Sequence, residues 1–438
     1  MSPPSTIRVA IVGGGVAGAS LLHALLKHPH IDADLFESAT EVKAGGMAIG
    51  IARNAQSALE LMGPSAAACL ERAGAVAMRG VRFMVVSEGQ GTAMADEVDE
   101  AVQEKRLTSI VSRGTFLREL LADVNPLRIH TSRKLSRIES EGVEGRMMLH
   151  FINTKEEEEE GTTHAFECDI LIGADGIRSF VRKQVLDKDD PAANPTNSGA
   201  WFVMTEHKLD RAQAVLGKDL VDVNNPREYG WAGRDAFLMH NILNGGEKVQ
   251  FSIGATDREA TGSDQWERVV TRGEIERITQ EWPAHLKKAI QELLCDVPQR
   301  KAFNLWDHPN ARTYVSGAMC IMGDAAHATT PWQGSGAGIS IEDALVLSSL
   351  LAHAKDRDDA LVALQAYDEV RRPRTQRVVE SSRATGALLT GAKVLDAETA
   401  KNFMSRWDFI IDLDVKEHRD EALRLMDAKL AAQGSVSG

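Results

Sequence analysis

The run "IRVAIVGGGVAGAS", Ile7 to Ser20, constrains the fold of this chain more than any other stretch. Ile7 to Val12 is short, apolar and rich in β-branched residues, which suits a strand buried on both faces of a parallel sheet. Gly13, Gly15 and Gly18 then follow with the spacing of a phosphate-cradling loop. The first allows a tight turn, the second lets backbone approach a pyrophosphate, and the third lets helix and strand pack closely. An apolar stretch reaching His28 and closed by Pro29 predicts a helix whose first N–H groups face the phosphate. "IDADLFES" predicts the next strand and places Glu37 nineteen residues after Gly18, where an acid accepts from ribose hydroxyls. The unit reads as a βαβ dinucleotide site. Glu37 repels a 2′-phosphate, so NADP in this loop is disfavoured, while NAD and FAD both stay open.

The rest of the chain narrows the class of protein. Its 438 residues suffice for two or three domains. A net charge of −13 repels nucleic acid and anionic membrane, so neither is expected as a partner. Cys69, Cys168, Cys295 and Cys320 form no CxxC pair and no metal spacing, and read as buried reduced thiols. The N-terminus lacks the pattern of a secretory signal, and no apolar run is long enough to span a membrane. A cytoplasmic enzyme without a metal is the expectation.

Further along, "SRGTFLRELLADV" predicts an amphipathic helix with Phe116, Leu117, Leu120 and Leu121 on one face. "GRMMLHFI" and "THAFECDILIG" read as strands, with Glu156 to Glu160 between them as a solvated hairpin tip. From about Lys188 to Arg300, Pro, Asn and Gly punctuate strand-like runs, which predicts a separate antiparallel sheet. "GAMCIMGD" reads as another buried strand and "GISIEDALVLSSLLAHA" as a long helix, with a largely helical tail from Arg371.

Two later constellations accompany the glycine loop. In "CDILIGADGIRSFVR", Asp175 and Gly176 follow a buried strand, with Arg178 and Arg182 beyond them; taken alone, Asp175 reads as a helix N-cap. In "CIMGDAAHATTPWQGSGAGISIEDA", a strand delivers Gly323 and Asp324 into a loop. Gly334, Ser335, Gly336 and Gly338 then open a helix whose dipole suits an anion. An Asp at such a strand end can bond polyol hydroxyls. His327 reads as a packed, hydrogen-bonded residue and is assigned no role.

In this order and at these distances, the motifs resemble the single-component (class A) flavin-dependent aromatic hydroxylases of the para-hydroxybenzoate hydroxylase type. Within them the chain looks most like salicylate hydroxylases and fungal phenol hydroxylases. The resemblance covers nearly the whole chain, through "YDEVRRPR" near Tyr367 and "SRWDFIIDLD" near Trp407. It implies an α/β fold in two parts: a Rossmann-like FAD-binding domain with a parallel sheet, and a substrate domain with an antiparallel sheet, plus C-terminal helices. The expected boundaries are 1–78, 104–187 and 301–370 for the first, 79–103 and 188–300 for the second, and 371–438 for the helical segment.

By that resemblance Gly13, Gly15, Gly18 and Glu37 hold the pyrophosphate and adenosine ribose of FAD, and Arg113 lies near its linker. Asp175 and Gly176 match a motif used for FAD and the nicotinamide nucleotide. Gly323 and Asp324 match the pair at the ribityl and pyrophosphate region, and Gly334, Gly336 and Gly338 run beneath the isoalloxazine. The implied reaction consumes NADH or NADPH, bound transiently, and O2. It hydroxylates a phenol-like, salicylate-like or heteroaromatic small molecule through a flavin C4a-hydroperoxide, in a monomer or homodimer. A flavin oxidase or dehydrogenase on the same scaffold is the alternative.

The substrate side departs from the family pattern. Where many relatives carry an arginine, this chain reads Trp201-Phe202-Val203, and Phe202 cannot pair a carboxylate or phenolate. His240 is expected in the pocket either as a base toward a phenol or as a hydrogen-bonded wall. Trp201, Phe202, Phe251, Pro331 and Trp332 are the other expected pocket residues. The usual glycine motif after the second strand is blurred to "AGGMAIG".

Overall fold

The computed structural model describes residues 6–42, 48–86, 91–96, 105–139, 145–155, 163–257, 264–391 and 402–436. Ile7–Val12 and Ile31–Phe36 pair in parallel and flank the helix Val16–Leu25, so the βαβ unit forms as the sequence predicts. These strands lie in a six-stranded sheet completed by Ile129–His130, Ile170–Gly173, Met319–Ile321 and Val315–Ser316. All its pairs are parallel except the short outer hairpin of the last two. Every residue of Ile170–Gly173 is buried, as in a strand covered on both faces.

An eight-stranded sheet carries the second core. Its order runs Glu267–Thr271, Gln299–Asp307, Thr196–Lys208, Lys248–Thr256, Ala236–Leu243, Glu228–Ala232, Val81–Val86 and Gly91–Asp96. The expected antiparallel pattern holds apart from one parallel pair, Glu228–Ala232 with Val81–Val86. Helices Leu209–Leu216 and Ala284–Leu293 contribute buried Ala212, Leu216, Leu286 and Leu293 to the core on one side of this sheet.

The helix Gly336–His353 is buried over most of its length and packs against Val16–Leu25. The long helix Arg357–Leu389 runs unbroken through residues 370 and 371, and Val415–Val436 packs on it. Met147–Ile152 and Thr163–Cys168 pair as antiparallel strands, while the glutamates expected at their turn lie outside the described residues. The four cysteines are buried and none is bridged. Among the described residues no helix is long and apolar enough to cross a membrane, and no cluster of three His, Cys, Asp or Glu side chains is placed to hold a metal ion.

Candidate active site

Three glycines build the floor of the site, for different reasons. Gly13 has φ +111°, and a Cβ there would lie 2.2 Å from the Ala174 carbonyl oxygen. A Cβ on Gly18 would lie 2.0 Å from the Gly13 carbonyl oxygen. Both are required by packing of the protein on itself. Gly15 is different: its φ is −72°, and a Cβ would meet only the Arg113 Nη2, at 3.5 Å. What its missing side chain leaves free is the cavity, which is the cradle a pyrophosphate needs.

That cavity has a volume of about 950 Å³ and reaches from this loop to one face of the large sheet. Gly13, Gly15, Glu37, Arg113, Asp175, Gly176, Asp324, Gly334, Gly336 and Gly338 all line it. Gly18 and Gly323 lie beneath it. Gly323, at φ +57°, would place a Cβ 2.5 Å from that of Ala17.

The polar groups at the loop end are held in place. Glu37 Oε2 accepts the Gly14 N–H at 2.7 Å and Oε1 accepts the Ala39 N–H at 2.8 Å. Asp175 serves the helix Phe180–Leu186, accepting from Ser179 Oγ at 2.5 Å and from the Phe180 N–H at 2.7 Å. The N-cap of that helix is Ser179, whose Oγ accepts the Arg182 N–H at 2.8 Å. Burial pushes the Asp175 carboxyl up, against these bonds. Gly176 has φ +76° and open space where a Cβ would stand. Arg182 is buried and donates to the carbonyls of Ala192, Ala325 and Ala326, tying "ADGIRS" to "GDAAH". Asp324, by contrast, is exposed to the cavity with no side-chain partner among the described residues.

Asp343 is the hub beneath these motifs. Its carboxylate accepts the Gly323 N–H at 2.9 Å, bonds His327 Nε2 at 2.5 Å and accepts from Arg371 Nε at 2.8 Å. His327 is therefore the packed residue the sequence suggests. Arg371 and Arg374, from "YDEVRRPR", also bind Glu342 at 2.8 Å. Burial alone would raise the Glu342 carboxyl, but Arg371 and Arg374 overcome it and hold it at about 2. Asp343 is driven down in the same way, with His327 and Arg371 opposing its desolvation. This network fixes the start of the helix Gly336–His353, whose first-turn residues line the cavity without a side-chain cap. Its unpaired N–H groups and positive dipole suit an anion.

The sheet end of the cavity corrects half of the expected pocket. Phe202, Pro331 and Trp332 line it. Trp201, His240 and Phe251 do not; they lie on the opposite face of the sheet, in its second core. Strand residues alternate faces, so Met239 and Asn241 point to the cavity while His240 stacks on Tyr229 at 5.0 Å. His240 is 2% exposed, its Nε2 has no partner, and burial pushes it down to about 3. It is neither a base at the substrate nor a pocket wall.

Cavity residues that the sequence did not single out include Phe83, Phe237, Met239, Asn241 and Gln250 on the sheet, Glu228 at a strand start, and Arg133 beside Glu37. Strand pairing would have found Phe237, which faces Gly254 opposite Phe202. Trp407 closes the cavity from the C-terminal segment, with its Nε1 donating to the Gln333 carbonyl at 3.1 Å. Part of "AGGMAIG" lies outside the described residues.

The FAD binding domain family matches residues 6–382. The 6-methylsalicylate 1-monooxygenase of Aspergillus terreus is 31% identical over all of this chain and 96% of its own length. Salicylate hydroxylase of Pseudomonas putida is 30% identical over 94% of this chain and 95% of its own. A solved salicylate hydroxylase–substrate complex superposes with a TM-score of 0.79 at 24% identity, covering 95% of this chain and 98% of that one.

Proposed function

The chain belongs to the FAD binding domain family as a class A FAD-dependent monooxygenase of the salicylate hydroxylase type, and from that premise we propose that it hydroxylates a small aromatic molecule at the expense of NADH or NADPH and O2. One observation carries the reading: a single cavity joins the Gly15 cradle and the Gly336 helix start to a sheet face bearing Phe202 and Phe237, against which Trp332 packs. Its volume of about 950 Å³ suits a large ligand, and its two ends differ in chemistry.

When bound, FAD supplies acceptance of a hydride and activation of oxygen, chemistry that no side chain provides. Gly13 and Gly15 let backbone N–H groups reach its pyrophosphate, with Arg113 alongside. Glu37, already oriented by Gly14 and Ala39, receives the ribose hydroxyls, and Asp324 bonds the ribityl region. Asp175 orders the turn at Gly176, where the nicotinamide nucleotide docks transiently. The first turn of the Gly336 helix stabilises negative charge on the ring system by roughly 0.3–2 kcal/mol. Phe202, Phe237 and Trp332 hold the substrate ring and exclude water, and Trp407 covers them.

In this reading residues 1–78, 104–187 and 301–370 serve the cofactor, 79–103 and 188–300 the substrate, and the C-terminal segment closes the cavity. We place the enzyme in a cytoplasm that keeps its buried thiols reduced, as a monomer or homodimer. The test is substrate-stimulated NAD(P)H oxidation across phenols, salicylates and heteroaromatics, with product analysed after turnover under oxygen-18 gas. One labelled atom in the product supports the reading. Turnover without NAD(P)H, or product without label, refutes it.

A further inference from the structure

A polar corner on the cavity face of the large sheet is not used by the chemistry above. Glu228 opens the strand Glu228–Ala232 and lines the cavity. Its Oε2 accepts a 3.3 Å hydrogen bond from Asn241 Nδ2 on the neighbouring strand. Asn241 is 2% exposed, and its Oδ1 has no partner. A buried amide oxygen without a donor is costly unless a ligand supplies one. Gln250 pairs with Asn241 in register, and its Oε1 is taken by the Ala48 N–H at 3.0 Å.

The charges around the cavity are segregated. Among the described residues, the strands of the large sheet bring no Lys or Arg to the lining. The basic groups of the lining come from outside the sheet: Arg113 stands at Gly15, Arg133 donates its N–H to the Glu37 carbonyl with Lys134 next to it, and Arg178 lies over the Trp266 ring at 4.0 Å, beside the edge strand Glu267–Thr271 and across the sheet from Glu228. Phe202 lines the cavity from the strand Thr196–Lys208 and offers no cation there. Burial raises the Glu228 carboxyl above the usual range, with only the Asn241 bond opposing it.

Resting on the reading of this cavity as the substrate site, we propose that Glu228 and Asn241 receive a hydroxyl or ring N–H of the substrate, so that the preferred substrate is an uncharged phenol-type ring rather than a carboxylated one. The substrate O–H donates to Glu228 or Asn241 and supplies the donor this corner lacks. A benzoate carboxylate in the same place would face a carboxyl group, with no cation from the sheet to offset it. The pocket thereby discriminates against the carboxylated rings after which its relatives are named.

Three matched probes test this on the FAD-loaded protein by calorimetric titration: 3-methylphenol, its methyl ether 3-methylanisole, and 2-hydroxy-6-methylbenzoate, which adds only a carboxylate. Wild type is expected to bind the phenol at least about tenfold more tightly than either of the others. Glu228→Leu should erase the preference for phenol over ether. Glu228→Gln, which keeps the shape of the corner, should narrow the gap between phenol and benzoate, with FAD content unchanged in both. Benzoate binding equal to or tighter than the phenol in wild type overturns the proposal. So does a retained phenol-over-ether preference in flavinated Glu228→Leu. Label-free product in the oxygen-18 experiment would instead overturn the monooxygenase reading, leaving the binding order of the probes to decide on Glu228.

Discussion

Asn241 faces the cavity and His240, its neighbour in the same strand, faces away from it into the second core of the large sheet. A difference of one residue separates a cavity-lining side chain from a buried packing residue.

His240→Phe is therefore expected to leave kcat/KM and its pH profile unchanged. It should, however, alter acid stability. His240 and His418 are pushed down to about 3 and His308 to about 2, each mainly by burial. The folded state thus binds fewer protons than the unfolded one, so stability falls as pH drops below about 6.5, by up to about 1.4 kcal/mol per pH unit per group. Melting temperatures at neutral pH and near pH 5 should lie closer together in the variant. A pH–rate profile that loses a limb would restore the base role.

Gly15→Val should fold and fail to hold FAD, since its Cβ meets no backbone and the lost glycine N-cap of the helix Val16–Leu25 costs about 1 kcal/mol. Gly18→Ala should instead damage the fold by about 1–3 kcal/mol or more, because its Cβ would press on the Gly13 carbonyl. Flavin absorbance and melting temperature, measured together, separate the two. Full flavin content in Gly15→Val would remove the loop from the cofactor site.

Asp324→Ala should lose FAD with little change in the melting temperature of the unflavinated protein. The carboxylate bonds no described protein group, so its removal leaves nothing unpaired. Retention of flavin through gel filtration would end this assignment.

Arg371→Met should destabilise the protein by about 3–5 kcal/mol, because Glu342 and Asp343 would be left buried without their shared cation. In wild type these carboxylates have depressed folded values, so their stabilisation is present above about 4.5 and lost as pH falls toward 2. The variant should show a shallower acid limb in chemical denaturation. An unchanged midpoint in urea would contradict the hub.

Gly386→Ala should raise KM for the aromatic substrate while sparing flavin content. A Cβ there would stand 2.4 Å from Cδ1 of Trp332, forcing that ring to shift in the cavity wall. Unaltered KM would mean that Trp332 does not contact the substrate.

The glycine-loop end of the cavity was legible because its signals are local. A glycine spacing, a strand before it, a helix after it and Glu37 at the right distance all report on adjacent backbone. Asp175 and Asp324 each follow a buried strand, and all of these residues except Gly18 meet at one cavity. The role of "YDEVRRPR" was visible only as likeness, since Arg371 reaches Asp343 across 28 residues.

The sequence by itself determined the βαβ unit, the family and the set of motifs, because each depends on residues close in the chain. Only the tertiary structure decided which strand residues face the cavity. The strand "AFLMHNIL" is covered on both sides, so seven of its eight residues are buried and no polar alternation marks either face. With the pattern silent, the layers packed against the sheet choose the faces. They turned His240 away and brought Asn241 beside Glu228.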